Sequence, residues 1–427
     1  MDAIVQPARS LSHAEGGNSG WVNARRVRTH AVLLCICLWS LYLWNLSIPG
    51  LFDRSGNVRG TDFVHFYTMG AFAAAHRGAD LYDMNAASAW LAGQLPQAAG
   101  KRYLPLYPPQ VSVLFSPFAR LPYGEALALW WCCTALLYGL CCYVIWRRCP
   151  NLKAYGATVA LAALGFPAFF HLIAWGQTSA LALVCITAAF LMLNRGLDVL
   201  AGCALGCLIF KPQLGVAAAV VFLAMGAWKI VGGAIVAACA QLLLGVLYFG
   251  WTPLQRWFSV LRNVRFEWRW LEPRPYQTHS LRTFWALLIP WSGVATALWF
   301  LSAALVLGLT IALWKREAPL ALRYSGLLFA TVLVAPHLTV YDLVILVPAF
   351  LLTADWAVTQ PVAPSIRKLG SLYYLVFLLP LLSPVVRWVH IQFSVIAMTA
   401  CIYMIWQLSR DSLPGTAPQI GSGSVTL

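Results

Sequence analysis

Charge is what this chain has least of. Ten per cent of its 427 residues are Asp, Glu, Lys or Arg, against about 25% in a typical soluble domain. Acidic residues are the scarcer half, fourteen against twenty-nine Lys plus Arg. Hydrophobic residues supply 60% of the chain, more apolar surface than one water-soluble core can bury. This excludes a soluble globular domain, and apolar runs near the bilayer-spanning length of about 20 residues recur along the sequence. Other things are missing too. There is no Gly-rich nucleotide loop and no Walker motif, which argues against a soluble nucleotide donor. No inverted repeat is visible, which weakens a secondary-transporter reading. The twelve cysteines fall in or beside apolar runs, none in the polar stretch 49–125 and none at metal-ligand spacing with histidine. They read as small packing residues rather than a disulfide framework. Neither a cofactor nor a metal is expected.

What the chain does have suits a bilayer. Twenty Trp and sixteen Tyr fit interfacial belts. The expected fold is an all-α, multi-pass membrane protein of about 12 segments. These lie at about 30–48, 126–146, 156–174, 177–194, a broken pair at 199–210 and 212–226, 229–249, 292–314, 320–336, 340–354, 370–386 and 391–408. Residues 1–29 and 410–427 read as disordered cytoplasmic tails around a membrane domain at 30–409. The run after Arg25, Arg26 and Arg28 lacks a small-residue cleavage site and reads as a retained first helix. With that N-terminus inside, Arg147, Arg148, Lys153, Arg195, Lys229, Lys315, Arg316, Arg367, Lys368 and Arg410 all fall inside, as the positive-inside rule asks. The large polar loops, about 49–125 and 250–290, then face outward, and a bacterial inner membrane is the expected location. The net charge of +15 sits between apolar runs, so it reads as topological, and no nucleic-acid partner is expected.

Some arginines break that rule. Arg256, Arg262, Arg265, Arg269, Arg274 and Arg282 lie in the second outward loop. Over 257–270, Trp257, Leu261, Val264 and Trp268 share one helical face, with Arg262, Arg265 and Arg269 on another. The pattern suits an amphipathic helix in the interface, drawn either to bulk headgroups or to a phosphate at an active site. The first outward loop, aromatic-rich at 63–75 and 103–122, suits short helices and ordered turns.

Few polar residues are placed to do chemistry. Asp62 opens an amphipathic stretch, where a carboxylate is either a helix N-cap or a general base tuned by partial desolvation. Lys211-Pro212-Gln213 interrupts an apolar run, and a lysine at such a depth either snorkels or binds an anion. Pro212 breaks the helix there, so two short segments should meet at Lys211. Gln177, in the turn Trp175-Gly176-Gln177, is a cap or a sugar and phosphate donor. His337 and Asp342 sit at another helix junction. The inferred topology puts Asp62, Gln177, Lys211 and His337 on one outward side. A transporter or flippase of anionic lipids would also want the arginines and the lysine, but it needs polar groups on the inner half as well.

Taken together, these pieces resemble glycosyltransferase family 87. They are Gly60-Thr61-Asp62-Phe63 through Tyr67, Gly70 and Gly78-Ala79-Asp80-Leu81-Tyr82-Asp83. Tyr107-Pro108-Pro109, Phe115-Ser116-Pro117-Phe118, Trp175-Gly176-Gln177 and Phe210-Lys211-Pro212-Gln213 follow in the family's order. His279-Ser280-Leu281-Arg282 and Ala335-Pro336-His337 with Tyr341-Asp342 complete the set. Ala335 stands where the family often has serine. The resemblance covers roughly 55–350. It implies a GT-C-like helical bundle with an extracytoplasmic site, similar to polyprenyl-phosphate-mannose-dependent mannosyltransferases such as those extending mycobacterial phosphatidylinositol mannosides. It implies an inverting transfer of a hexose, expected to be mannose, from a polyprenyl-phosphate sugar donor in the bilayer to a hydroxyl of a glycolipid or glycan acceptor. On it, Asp62 is the general base. His337, Lys211, Gln213, Arg282 and His279 face the donor phosphate. His65, Tyr67, Tyr107, Gln177 and Asp342 face the acceptor or sugar.

Overall fold

The computed structural model describes residues 23–264, 272, 274–361 and 363–411. The tails beyond them, and Arg265, Trp268 and Arg269 of the expected interfacial helix, lie outside the described residues. Among the described residues the regular structure is helical, with two isolated β-bridges and no strand. This is the all-α membrane architecture that the apolar runs predict.

The helices fall where the runs do, but they are not equally long. Among the described residues seven are long and apolar enough to cross a bilayer: Ala24–Leu46, Tyr123–Trp146, Trp228–Phe249, Ser292–Trp314, Val340–Val358, Pro364–Val389 and Phe393–Arg410. A pair bent by 46°, Pro150–Leu164 and Pro167–Trp175, makes an eighth if counted as one span. Among the described residues the expected count of about 12 is not reached by helices of spanning length. Apolarity marks burial as well as membrane contact, and hydropathy cannot separate the two. Ser179–Leu193, Asp198–Phe210 and Leu320–Val334 are shorter, and a 15-residue helix reaches only about 22 Å of a hydrocarbon layer about 30 Å thick. Leu320–Val334 is enclosed along its whole last three turns, whereas Ala24–Leu46 buries only Ala31 and Tyr42. Leu320–Val334 and Val340–Val358 lie in the core of the bundle, and Ala24–Leu46 lies on its outside.

One helix pair packs through small residues. Asp198–Gly206 crosses Trp228–Phe249 so closely that a Cβ on Gly202 would sit 2.0 Å from the Ile230 carbonyl oxygen, and one on Gly206 2.2 Å from that of Ala234. Such backbone contact is how apolar helices associate where the hydrophobic effect gives no help.

The first polar loop carries three short helices, Phe63–Ala74, Met84–Gln94 and Pro109–Phe115. The second begins with Trp251–Asn263. Its Trp257 is buried, and the indole Nε1 donates to the Leu106 carbonyl at 2.8 Å. That apolar face packs on the first loop, so the amphipathic pattern marks a protein contact there. Arg256 on the other side donates to the Ala79 carbonyl. The two polar loops are thus bound to each other above one end of the bundle.

Candidate active site

The site grows from a turn. The helix Pro167–Trp175 ends at Gly176, whose φ of 68° is left-handed. A Cβ there would lie 2.6 Å from Phe63 Cβ. Only glycine satisfies both demands. The Gly176 carbonyl accepts from Trp130 Nε1 at 3.0 Å, and the Trp175 carbonyl accepts from the Asp62 backbone N–H at 3.0 Å. These contacts bring Gln177 beside Asp62.

Asp62 occupies the N-cap position of Phe63–Ala74, yet its side chain makes no capping hydrogen bond. Its Oδ2 instead accepts from Gln177 Nε2 at 2.7 Å, across 115 residues of sequence. Its Oδ1 has no hydrogen-bond partner among the described residues. Gln177 is held in turn: its Oε1 accepts from Tyr107 Oη at 3.3 Å and from the Thr178 N–H at 3.2 Å. Asp62 keeps some solvent contact but is otherwise walled in. Burial pushes its carboxyl up to about 6, against the Gln177 hydrogen bond and the positive charges of Lys211, Arg274 and His337. Lys211 and Arg274, with His337, are therefore close enough to act on this carboxylate.

A second polar cluster lies deeper. Lys211 sits between the short turns Cys207–Phe210 and Pro212–Leu214, where Pro212 stops the backbone from continuing as a helix. Its side chain is 4% exposed, and its Nζ donates to Asp342 Oδ1 at 2.8 Å and to Ser179 Oγ at 2.9 Å. Asp342, 2% exposed, also accepts from Ser179 Oγ at 2.5 Å, and its Oδ2 takes the Thr339 N–H at 3.2 Å in a capping box. Lys211 Nζ lies 5.1 Å from the centre of the Tyr341 ring. It is an enclosed ion pair rather than a side chain reaching for headgroups. Gln213 follows, half-buried.

The third cluster joins two distant motifs. Thr278 and Thr339 form an isolated bridge, and the His279 N–H donates to the Leu338 carbonyl at 2.9 Å. Ser280 then caps the helix Leu281–Leu288. This alignment sets Arg282 Nε 2.5 Å from the Pro336 carbonyl oxygen, one residue before His337. Glu272 links the two side chains. Its Oε1 meets His337 Nδ1 at 2.9 Å, and its Oε2 pairs with Arg282. Burial opposes its charge, but the His337 hydrogen bond and charge and the Arg282 charge outweigh it and hold the carboxyl below its ordinary value. With Nδ1 committed to Glu272, His337 has Nε2 left for a ligand.

The other expected residues are spread differently. Tyr107 joins the Asp62 cluster. His65 lies one turn beyond Asp62, with its ring stacked 5.5 Å from Tyr103 and its Nε2 enclosed without a partner. Burial pushes it down to about 4, so it is neutral. Tyr67 donates to the Leu121 carbonyl at 2.8 Å, which secures the loop. His279 is fully buried, its Nδ1 2.7 Å from Ser394 Oγ, and burial followed by the charge of His171 pushes it down to about 3. It supports the Thr278–Thr339 junction from behind. Among the described residues no three His, Cys, Asp or Glu side chains gather as metal ligands.

Sequence reading missed Glu272, Ser179 and Tyr103. Glu272 had a signal, being one of only fourteen acidic residues and set in an arginine-rich loop. Ser179 and Tyr103 had none, since their roles depend on contacts far apart in sequence.

A model of glycosyltransferase family 87 matches residues 106–336, more than half of the chain. No curated protein and no solved structure matches. The matched stretch contains Tyr107, Gln177, Lys211, Gln213, His279 and Arg282. Asp62, His65 and Tyr67 precede it, and His337 and Asp342 follow it.

Proposed function

The chain belongs to glycosyltransferase family 87, and from that premise we propose that it moves a hexose, mannose by the resemblance of its motifs, from a polyprenyl-phosphate donor to a glycolipid or glycan hydroxyl on the extracytoplasmic face of a bacterial inner membrane. One observation carries this reading: an uncapped carboxylate with a free oxygen lies within electrostatic reach of Lys211, Arg274 and His337. That is the pairing an inverting transfer to a phosphate-linked sugar requires, a base for the nucleophile and fixed positive charge for the leaving group.

The step balances without a second acid. The acceptor hydroxyl gives its proton to Asp62 Oδ1 as its oxygen attacks the anomeric carbon. The bond from that carbon to the phosphate oxygen breaks on the opposite side. The phosphate oxygen keeps the electron pair, and polyprenyl phosphate leaves as the anion. Gln177 holds Oδ2 and so aims Oδ1. His337, oriented by Glu272, offers Nε2 to the phosphate, with Arg282 and Arg274 adding charge. Lys211 contributes field rather than a contact, because its ammonium is already paired with Asp342.

The test is sugar transfer by the purified full-length protein in lipid, with labelled polyprenyl-phosphate-mannose and a membrane-lipid extract as acceptor. Product from the wild type and none from Asp62→Asn is the expected outcome. Equal product from both would remove Asp62 as the base. No product from either, with a product from another polyprenyl-linked sugar, would change the donor and keep the chemistry.

A further inference from the structure

At the end of the bundle away from the two polar loops, two helices finish around one indole. Ser292–Trp314 starts just after the second loop and runs 23 residues, about 34 Å, so Arg316 lies beyond its far end. The last helix, Phe393–Asp411, also finishes there. Arg316 Nη1 donates to the Trp406 carbonyl at 2.6 Å and to Ser409 Oγ at 2.8 Å, and its guanidinium carbon lies 4.6 Å from the centre of the Trp406 ring. Arg410 lies over the same ring at 5.6 Å. Burial, then the charge of Arg410, hold the Arg316 guanidinium below its ordinary value. Neither arginine forms an ion pair among the described residues. Glu317 is exposed and likewise unpaired among them, and the side chain of Asp411 lies outside them. Arg367 and Lys368, near the start of the span Pro364–Val389, add cations to the same end. On the last helix Ile396, Tyr403 and Arg410 are exposed, and their spacing of seven puts them on one face. An apolar stripe therefore leads down to the arginines, with the Tyr403 ring stacked 6.1 Å from Trp406.

We propose that Arg316 and Arg410, on the Trp406 ring, bind the phosphate of a phospholipid whose headgroup carries net negative charge. The lipid belongs to the leaflet opposite the catalytic end, and an acyl chain lies along Ile396 and Tyr403. The inference stands apart from the transferase reading. Basic residues between spans are ordinarily topological. Arg316 differs from them, because two hydrogen bonds fix it and an indole backs it, so its geometry is set before a ligand arrives. Its Nη1 is engaged, whereas Nε and Nη2 make no hydrogen bond among the described residues, and a guanidinium edge suits phosphate oxygens. Two like charges on one ring repel each other, and an anion held by both turns that repulsion into attraction. The apolar stripe selects a lipid over a free phosphate, which has nothing to lay on Ile396 and Tyr403. One headgroup held by both arginines would fasten the end of Ser292–Trp314 to the last helix.

The test is native mass spectrometry of the full-length, delipidated protein in nonionic detergent, titrated with dioctanoyl phosphatidylglycerol or dioctanoyl phosphatidylcholine. The wild type should hold one phosphatidylglycerol about tenfold or more tightly than phosphatidylcholine, the scale of two arginines at an anionic headgroup. Arg316→Ala with Arg410→Ala should abolish that preference. Arg367→Ala with Lys368→Ala removes the same charge from the same end and should leave the preference intact. Equal affinity for the two lipids overturns the proposal. So does a preference that both double variants weaken alike, which would mean a diffuse basic surface. Arg316→Ala loses the bonds to Trp406 and Ser409 and could fold poorly. Arg410→Gln, exposed and outside those bonds, should still cut the preference about threefold or more, and no change there overturns the proposal as well. Inorganic phosphate at the lipid's concentration should not displace phosphatidylglycerol, and displacement would overturn the assignment to a lipid.

Discussion

Asp62 and Asp342 stand at neighbouring junctions of the same bundle, and the fold treats them in opposite ways. Asp342 is closed: Lys211, Ser179 and the Thr339 N–H occupy both of its oxygens. Asp62 is open: one oxygen is held by Gln177, the other is unpartnered, and burial raises its carboxyl to about 6. A carboxylate whose hydrogen bonds are all made is a structural anchor. One left partly unmet, and poised near the working pH, is able to take a proton. Both residues are rare acids beside aromatic motifs, so residue type does not separate them. Their partners do.

The sharpest way to break this contrast is to neutralise each carboxylate in turn. Asp62→Asn keeps the shape and the Gln177 contact but removes the base. Transfer should fall by about 10²–10⁴-fold, the usual share of a general base, while the protein stays folded in detergent. Asp342→Asn should do the reverse. It leaves Lys211 charged, buried and unpaired, a loss of about 3–5 kcal/mol for a broken buried pair. Thermal unfolding followed by fluorescence should show a large drop, and replacing Lys211 with Met in the same protein should recover part of it. Asp62→Asn that unfolds the protein, or Asp342→Asn that leaves stability untouched, would erase the distinction.

Much of this was legible in sequence, though unevenly. The helical membrane architecture follows from the apolar runs, and the ordered motifs pointed to Asp62, Gln177, Lys211 and His337. Which apolar helices are enclosed was not legible, because Leu320–Val334 and the more exposed Ser292–Trp314 are both apolar runs. That the Asp62 side chain turns from capping to Gln177 was also hidden. It depends on Gln177 arriving from another helix through a left-handed Gly176, and one strand of sequence does not record that approach. Lys211 stood out in sequence as a lysine within an apolar run, but its partner Asp342 lies 131 residues away. In the expected interfacial helix, the contact of Trp257 with the Leu106 carbonyl was likewise hidden, since an apolar face looks the same whether it meets lipid or protein.

Glu272 adds a third carboxylate between these extremes, paired like Asp342 but with His337 and Arg282, the groups proposed to meet the donor phosphate. Glu272→Gln preserves a hydrogen-bond acceptor for His337 and removes the charge. We expect a roughly tenfold loss of kcat/KM for the donor, on the scale of one charge-assisted hydrogen bond. The split between the two kinetic constants decides whether the effect lies at the donor. Glu272 holds His337 Nδ1 and Arg282, so KM for the donor should rise while kcat changes less. A purely structural role would lower the yield of folded protein and leave KM for the donor unchanged.

The smallest effect is also the most telling, because it reads the openness of Asp62 through stability rather than rate. A carboxyl raised from its ordinary value to about 6 is held in the protonated form by the fold. Its contribution to stability is complete below the unfolded value and is lost as pH rises through about 6. Above pH 6 the wild type carries an ionised, partly desolvated carboxylate that Asp62→Asn does not. The variant should therefore be the more stable protein at pH 7.5, by on the order of 1–3 kcal/mol, and no more stable at pH 3.5, where both side chains are neutral. Wild-type transfer should rise over the same interval, as the base loses its proton. A variant less stable at pH 7.5 would mean that the negative charge of Asp62 is welcomed by Lys211, Arg274 and His337 more than burial opposes it. Asp62 would then resemble Asp342, and the acidic limb of the rate profile should move down with it.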